Sequence, residues 1–211
     1  MGRNVGPQCR LCRAEGMKLY LKGERCKGPK CPITRKKGAP GRGPRSRMKK
    51  QSEYSLQLRE KQRLKRMYGM LEAQFHTFFD RANKRTGLTG ENLIQLLERR
   101  TDNIVYRMHF APSRKAARQL VLHGHVRING KRVSIPSRLV VEGDEVSVTA
   151  GEGKLTTVME SLKEYSRSGL VPWLELDPDR MVGKVKAVPR RSEVADLADI
   201  REQLIVELYS K

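Results

Sequence analysis

The stretch from Arg99 to Val148 constrains the fold most, because it carries its own start, stop and turn signals. Ser113 precedes a run of helix formers, where an N-cap side chain accepts a bond from an otherwise unpaired backbone N–H. Behind it, helical spacing predicts Ala116, Ala117, Leu120 and Val121 on one face and Arg114, Lys115 and Arg118 on the opposite arc, with Leu122 the one misfit. Gly124 stops that helix. Val126-Arg127-Ile128 alternates like a half-buried strand, Asn129-Gly130 is a strong hairpin signal, and Lys131 to Ile135 returns before Pro136 ends the pair. Helix and hairpin packed together bring the basic arc beside Lys131 and Arg132. That is a compact surface for phosphate.

Charge points to the same kind of partner. The chain of 211 residues carries a formal +21, and a surface this basic repels itself unless it meets a polyanion. The excess is uneven: residues 1–50 carry +14, residues 51–150 carry +8, and residues 151–211 carry −1. The phosphate-facing surface therefore comes from the first two thirds, and the last third faces something else. No apolar run approaches a membrane span, and the basic N-terminus has no apolar signal region. A polybasic protein of the membrane surface would want an amphipathic anchor or a lipidation site, and the sequence shows neither. The expectation is a soluble, cytoplasmic, nucleic-acid-bound chain. With 37% hydrophobic but only 5% aromatic residues, its core must be mostly aliphatic.

The four cysteines Cys9, Cys12, Cys26 and Cys31 all fall in the first 31 residues, spaced as two short knuckles joined by a loop. A tetrahedral metal ion needs four such thiolates, and so apolar-poor a segment cannot fold by burial alone. Metal binding would supply the folding free energy. Disulfides are the competing reading, disfavoured in a reducing compartment without a secretion signal. The spacing favours zinc over an iron–sulfur cluster, which four cysteines could also hold. Four protein ligands leave no open position for water or substrate, so the role is structural. Arg3, Arg10, Arg13, Lys18, Lys22, Arg25, Lys27 and Lys30 surround the site and offset its negative charge while facing phosphate.

Residues 32–50 hold Pro, Gly and basic residues without periodicity, a segment that is flexible alone and extends as an arm along RNA, with Arg47, Lys49 and Lys50 as contacts. Ser52 starts a helix through about Tyr68, closed by Gly69 and heavily basic at Arg59, Lys61, Arg63, Lys65 and Arg66, with Arg59, Lys61 and Arg63 expected to contact RNA and a merely solvated face the competing reading. Leu71, Phe75, Phe78, Phe79 and Ala82 form a core stripe, and Glu91 to Leu97 a further short helix. Helix periodicity resumes with Leu97, Ile104, Val105 and Met108. Leu155, Val158, Met159 and Leu162 suggest another helix, and Trp173 to Leu176 and Val182 to Val188 two further antiparallel strands. Gln203 to Tyr209 fits both the helix and the strand period.

At "SRKAARQLVLHGHVRINGKRV" and "GDEVSV" the chain closely resembles the small RNA-binding module named after ribosomal protein S-four. "QLREKQRLKRMYG", "RTDNIVYRM", "PWLEL" and "EQLIVELYSK" extend the likeness to the ribosomal S-four family over nearly the whole length. The family occurs with and without the four cysteines, and this chain resembles the metal-bearing form. Where the family usually has Pro-Gly-Gln-His-Gly, this chain has Pro40-Gly41-Arg42-Gly43, so no role of that Gln-His pair carries over. The resemblance implies an α+β fold in three parts: a metal knuckle with its basic arm (1–50), a helical domain (51–97 with about 190–211), and an inserted RNA-binding module with an antiparallel sheet (98–189). It implies small-subunit rRNA as partner, bound early in assembly at a multi-helix junction. Contact with ribosomal protein S-five, an effect on decoding accuracy, and a place where mRNA enters the subunit follow from it too.

No catalytic constellation is present. His76 lies beside the helical core stripe, and His123 and His125 flank the helix-to-strand turn, where phosphate or 2′-hydroxyl contact suits them better than metal. An RNA-modifying enzyme would need a catalytic domain of about 100 residues or more, and only 63 residues follow Val148. A free RNA chaperone would leave the knuckle and the helical domain without purpose. The expectation is a non-enzymatic ribosomal protein that clamps RNA by shape and charge. Its other module contacts are Asn129, Lys131 and Arg132. In the neutral last third, Glu175, Asp177 and Asp179 around Trp173, with the acidic run Glu193, Asp196, Asp199 and Glu202, fit either a protein-facing patch or an ordinary sheet edge with a solvated tail. The resemblance favours the patch, marked by Trp173, Asp177 and Asp179.

Overall fold

The structure, a computed structural model, describes every residue except 1, 3, 42, 44–49, 51, 150–151, 164–168 and 211, with backbone alone at 152–155. The fold is α+β, with helices followed by a five-stranded antiparallel sheet. Two compact units arise, one from residues 1–93 with 199–211 and the other from residues 94–198. No helix of the described residues is long and apolar enough to cross a membrane.

In the first unit, α1 (Gln8–Glu15) and the one-turn α2 (Glu24–Lys27) precede the long α3 (Glu53–Met67) and α4 (Glu72–Asn83). Ser52 caps α3 by accepting from the Ser55 N–H at 3.3 Å, Glu53 lies in its first turn, and Lys65 and Arg66 oppose the dipole in its last. Gly69 then takes a left-handed φ of 62°, which a side chain would resist. Leu64, Met67, Phe75, Phe78, Phe79 and Ala82 are buried as the spacing predicts. The C-terminal segment, which fits either period, is the helix α9 (Glu202–Tyr209) packed on α3. Its Ile205 is buried, and Tyr209 packs against Phe79 with the rings tilted by 30° and their centroids 4.4 Å apart. α5 (Thr89–Glu98) runs across the division between the two units.

In the second unit, α6 (Thr101–Arg107) and α7 (Arg114–Leu122) pack together under a sheet of order β2-β1-β3-β5-β4. Its strands are β1 (Val126–Ile128), β2 (Lys131–Val133), β3 (Glu145–Val148), β4 (Leu174–Asp177) and β5 (Val182–Val185). Alternate residues of the strands, including Val126, Ile128, Val133, Val146, Leu174 and Val185, join Ile104, Val105 and Val121 in one core. α8 (Glu152–Lys163) follows β3, with Val158 and Leu162 buried but Met159 exposed. Leu97 belongs to α5 rather than to the module's first helix, because Arg100 breaks the helix in an isolated bridge with Leu139. α6 has no side-chain cap. The carbonyls of Arg138 and Pro136 accept from its Thr101 and Asp102 N–H groups at 2.9 and 3.1 Å instead.

Candidate nucleic-acid interface

Ser113 caps α7 by accepting from the Ala116 N–H at 3.3 Å, and His123 and Gly124 (φ 71°) end it. Asn129 and Gly130 both have positive φ, the requirement of a two-residue turn matched to strand twist. The Asn129 side chain holds β3 in place: its oxygen accepts from the Glu145 N–H at 2.8 Å and its amide donates to Asp144 at 2.7 Å. Lys131 and Arg132 are exposed on the returning strand, and Arg132 donates to the His123 carbonyl at 3.1 Å. His123 is exposed with its Nε2 2.8 Å from Gln119, and the Nδ1 of His125 lies 3.3 Å from the Thr149 carbonyl. Arg132, His123 and Gln119 are linked by these contacts, the His125 ring centre lies 6.2 Å from that of His123, and together they form a polar rim beside the hairpin.

The structure corrects the basic arc of α7. Its buried stripe follows Ala117, Arg118 and Val121, so two of the three basic residues turn inward instead of facing solvent. Arg118, only 6% exposed, donates to Asp102 at 3.4 Å, and Arg100 donates to the same carboxylate through two nitrogens at 3.0 and 2.6 Å. Arg114 donates to Asn103 at 2.8 Å and to Asp196 at 3.2 Å, with its guanidinium 4.6 Å from the Tyr106 ring centre. A buried carboxylate makes a core arginine tolerable, and sequence spacing alone does not reveal that carboxylate. Lys115 stays half-exposed, and Leu122 faces solvent where the pattern had made it a misfit.

Asp196 also accepts from Arg107 at 2.9 Å, and Arg107 grips Glu98 through two nitrogens at 3.0 and 2.8 Å. Burial pushes the Asp196 carboxyl up, but Arg107 and Arg114 more than reverse that and hold it below the usual range. The tail's acidic run is therefore partly consumed inside its own unit. Glu193, likewise, accepts from the Arg190 N–H at 2.9 Å.

The basic residues of α3 are each matched with a carboxylate. Arg59 and Arg66 reach Glu15, Arg63 reaches Glu60, and Lys61 and Lys65 reach Glu72. Burial raises the Glu72 carboxyl, but its bonds from Lys61 and Lys65 bring it down to about 2. Burial pushes the Glu15 carboxyl up against the pull of Arg66, Arg59 and Arg63. The sequence hides these partners because Glu15 lies far upstream and Glu72 on the next helix. Arg10 and Lys50 are exposed, and Arg13 donates to the Gly38 carbonyl at 3.4 Å. Arg3, Arg47 and Lys49 lie outside the described residues.

Cys12, Cys26 and Cys31 are buried, Cys9 is half-buried, and all four are free thiols. The Lys22 N–H points at the Cys26 sulfur from 3.3 Å. Burial pushes the Cys12 and Cys26 thiols up, whereas at Cys31 burial is outweighed by the Thr34 and Ile33 N–H groups, which bring it down. Among the described residues, no group of three or more His, Cys, Asp or Glu side chains stands ready to hold a metal ion.

The protein-facing patch is corrected in its apolar half. Trp173, the residue before β4, is 2% exposed and belongs to the core, and the alternation of β4 turns Leu174 and Leu176 inward into the same core. Asp177 accepts from the Asp179 and Arg180 N–H groups at 3.1 and 3.2 Å, which stabilises the turn, and Asp179 is exposed. Arg127 and Arg138, both exposed, were not among the sequence candidates, although the alternation of Val126-Arg127-Ile128 already places Arg127 opposite the core.

Residues 3–98 match the family described as "Ribosomal protein S4/S9 N-terminal domain", and residues 99–146 match "S4 domain". Over the whole of both chains, the sequence is 56% identical to the small ribosomal subunit protein uS4 of Acetivibrio thermocellus. It is 54% identical to that of a Thermoanaerobacter species and 51% identical to that of Syntrophus aciditrophicus, again over the full length of each. The chain belongs to the small ribosomal subunit protein uS4 family.

Proposed function

We propose that this protein is a structural, non-enzymatic component of the small ribosomal subunit that binds rRNA directly. The observation that carries the reading is identity above half over the full length of relatives bearing that name. The surface chemistry supports it: His123, Lys131 and Arg132 are exposed, and Lys115 and His125 half-exposed, on the helix–hairpin. Double-stranded RNA offers phosphates and 2′-hydroxyls more than readable base edges, so recognition is by shape and charge. Three parts, the knuckle with its arm (1–50), the helical body (51–97 with about 190–211) and the module (98–189), would clamp a multi-helix junction and nucleate assembly. Cross-linking and sequencing of the RNA that copurifies tests this. Small-subunit rRNA segments around one junction are the expected result, and recovery of unrelated RNA at random positions would refute it.

We also propose that Cys9, Cys12, Cys26 and Cys31 hold a structural metal ion, zinc ahead of an iron–sulfur cluster. Four free thiols at this spacing, three of them buried, and backbone N–H groups at the Cys26 and Cys31 sulfurs support this donor set. The ion would supply folding free energy to a segment with little core of its own. Asp177, half-exposed at the end of β4, and Asp179, exposed in the turn after it, are proposed to face ribosomal protein S-five, with an effect on translational accuracy near where mRNA enters. Charge complementarity to a basic neighbour supports that placement.

A further inference from the structure

The outer face of the sheet, away from its helices, is segregated by charge. On β1 and β2 the register sets Arg127 directly opposite Arg132, with Ser147 next across β3. Both arginines are exposed on this face. On the β3–β5–β4 side, Lys184 is flanked across the strands by Glu145 and Glu175, and Lys186 reaches Glu175 at 3.5 Å. Cations on that side are thus compensated, while the β1–β2 side sets two arginines opposite each other in register with Ser147 as the neighbour.

Like charges directly opposite on paired strands oppose folding, since their Cα atoms stand only about 5 Å apart. Arg132 relieves this partly by leaning over Gly124 and donating to the His123 carbonyl. That contact also draws its guanidinium toward the His123 and His125 rim. Arg127 extends the same positive surface around the hairpin onto the open sheet face.

We propose that Arg127, paired with Arg132, forms an anion site for the phosphodiester backbone, so that RNA bound on the helix–hairpin rim continues across the outer face of the sheet. The inference rests on the rRNA-binding reading and adds a contact to it. Guanidinium suits this task because its planar fork can bond two phosphate oxygens at once. A bound phosphate between the two guanidiniums would turn their mutual repulsion into joint attraction.

The test uses the full-length protein and a small-subunit rRNA transcript, with affinity measured at several salt concentrations. Arg127→Gln is expected to weaken binding roughly threefold to tenfold and to flatten log K against log salt by roughly 0.7–0.9 units. Its thermal midpoint should be unchanged or higher, because an unfavourable like-charge pair has been removed. Arg127→Lys should keep the salt slope, and Lys184→Gln, in the compensated half, should bind as the parent does. If the parent binds and Arg127→Gln matches it in affinity and slope, this site is overturned and the rRNA reading stands. Weaker binding together with a lower midpoint would also overturn it, since a loosened sheet would account for the loss. If the parent does not bind rRNA, both readings fall.

Discussion

Arg114 and Asp196, 82 residues apart in the chain, meet at 3.2 Å on the flank of α7. The contact closes the segment after β5 onto the helix pair that begins the same unit, and Arg107 shares the carboxylate at 2.9 Å. An acidic residue that charge patterning assigns to an outside partner is therefore an internal fastener, and its arginine partners are held in one orientation.

Replacing Asp196 by Asn should destabilise the protein at pH 7 by about 1–3 kcal/mol, since two arginines lose their shared counter-charge at a partly exposed site. Burial alone would raise this carboxyl, but Arg107 and Arg114 lower it. The stabilisation is then complete above the unfolded value of about 3.9 and is lost as pH falls through the lower folded value. Urea unfolding of both proteins should show a gap that is constant from neutral pH to about pH 5 and narrows below about pH 4. A gap that widens on acidification would contradict the assignment.

Much of this fold was legible because local signals were unambiguous. Ser52 and Ser113 cap the helices they precede, and Asn129-Gly130 makes the turn its residues demand. The burial of Phe75, Phe78, Phe79 and Ala82 follows helical spacing, which is a property of the chain itself. What sequence could not supply is the partner of each charge. Arg118 reads as surface until Asp102 is found beside it, and Trp173 reads as an exposed anchor until it is placed in the core at the start of β4. Gln203 to Tyr209 fits two periods, and only packing against α3 and α4 selects the helix.

The buried placement of Arg118 changes what charge reversal on α7 should do. With Arg114→Glu and Arg118→Glu together, two carboxylates would face Asp102 and Asp196 in the interior. The expected cost is about 3–5 kcal/mol or more, with loss of cooperative unfolding in the second unit. Lys115→Glu and Lys131→Glu, on the accessible rim, should instead lower rRNA affinity while leaving the thermal midpoint nearly unchanged. Circular dichroism melts beside binding isotherms separate these outcomes. Weak binding by a well-folded Arg114→Glu/Arg118→Glu protein would return the arc to the surface.

For the cysteine segment, elemental analysis of the purified protein should find about one zinc per chain, or several irons if a cluster is bound. Cys26→Ser should abolish metal retention and expose residues 8–31 to protease, while the sheet and the α3–α4 pair keep their protection against hydrogen exchange. Thiols recovered as disulfides, without metal, would rule the site out.

Glu15 offers the sharpest test of how that segment is fastened. It ends α1, three residues after Cys12, and is one of only two acidic residues in the first 50. Its side chain is wholly enclosed, with Arg59 and Arg66 of α3 on its carboxylate and Arg63 donating to its backbone carbonyl at 3.4 Å. Two arginines against one enclosed carboxylate make α1 depend on α3 for its position. Glu15→Gln keeps the shape and removes the charge, and Arg59 and Arg66 can turn part of their length to water. Because burial already holds this carboxyl above its ordinary range, the ionised form gains little from folding, and the global cost should be small, under about 1 kcal/mol. The local consequence should be larger than the global one, because few other contacts hold so apolar-poor a helix. In metal-free protein, alkylation of Cys12 should accelerate severalfold in Glu15→Gln while the main thermal transition moves only a few degrees. Unchanged alkylation of Cys12 would mean that α1 is held by its neighbours in the cysteine loop and that the Glu15 clasp is incidental.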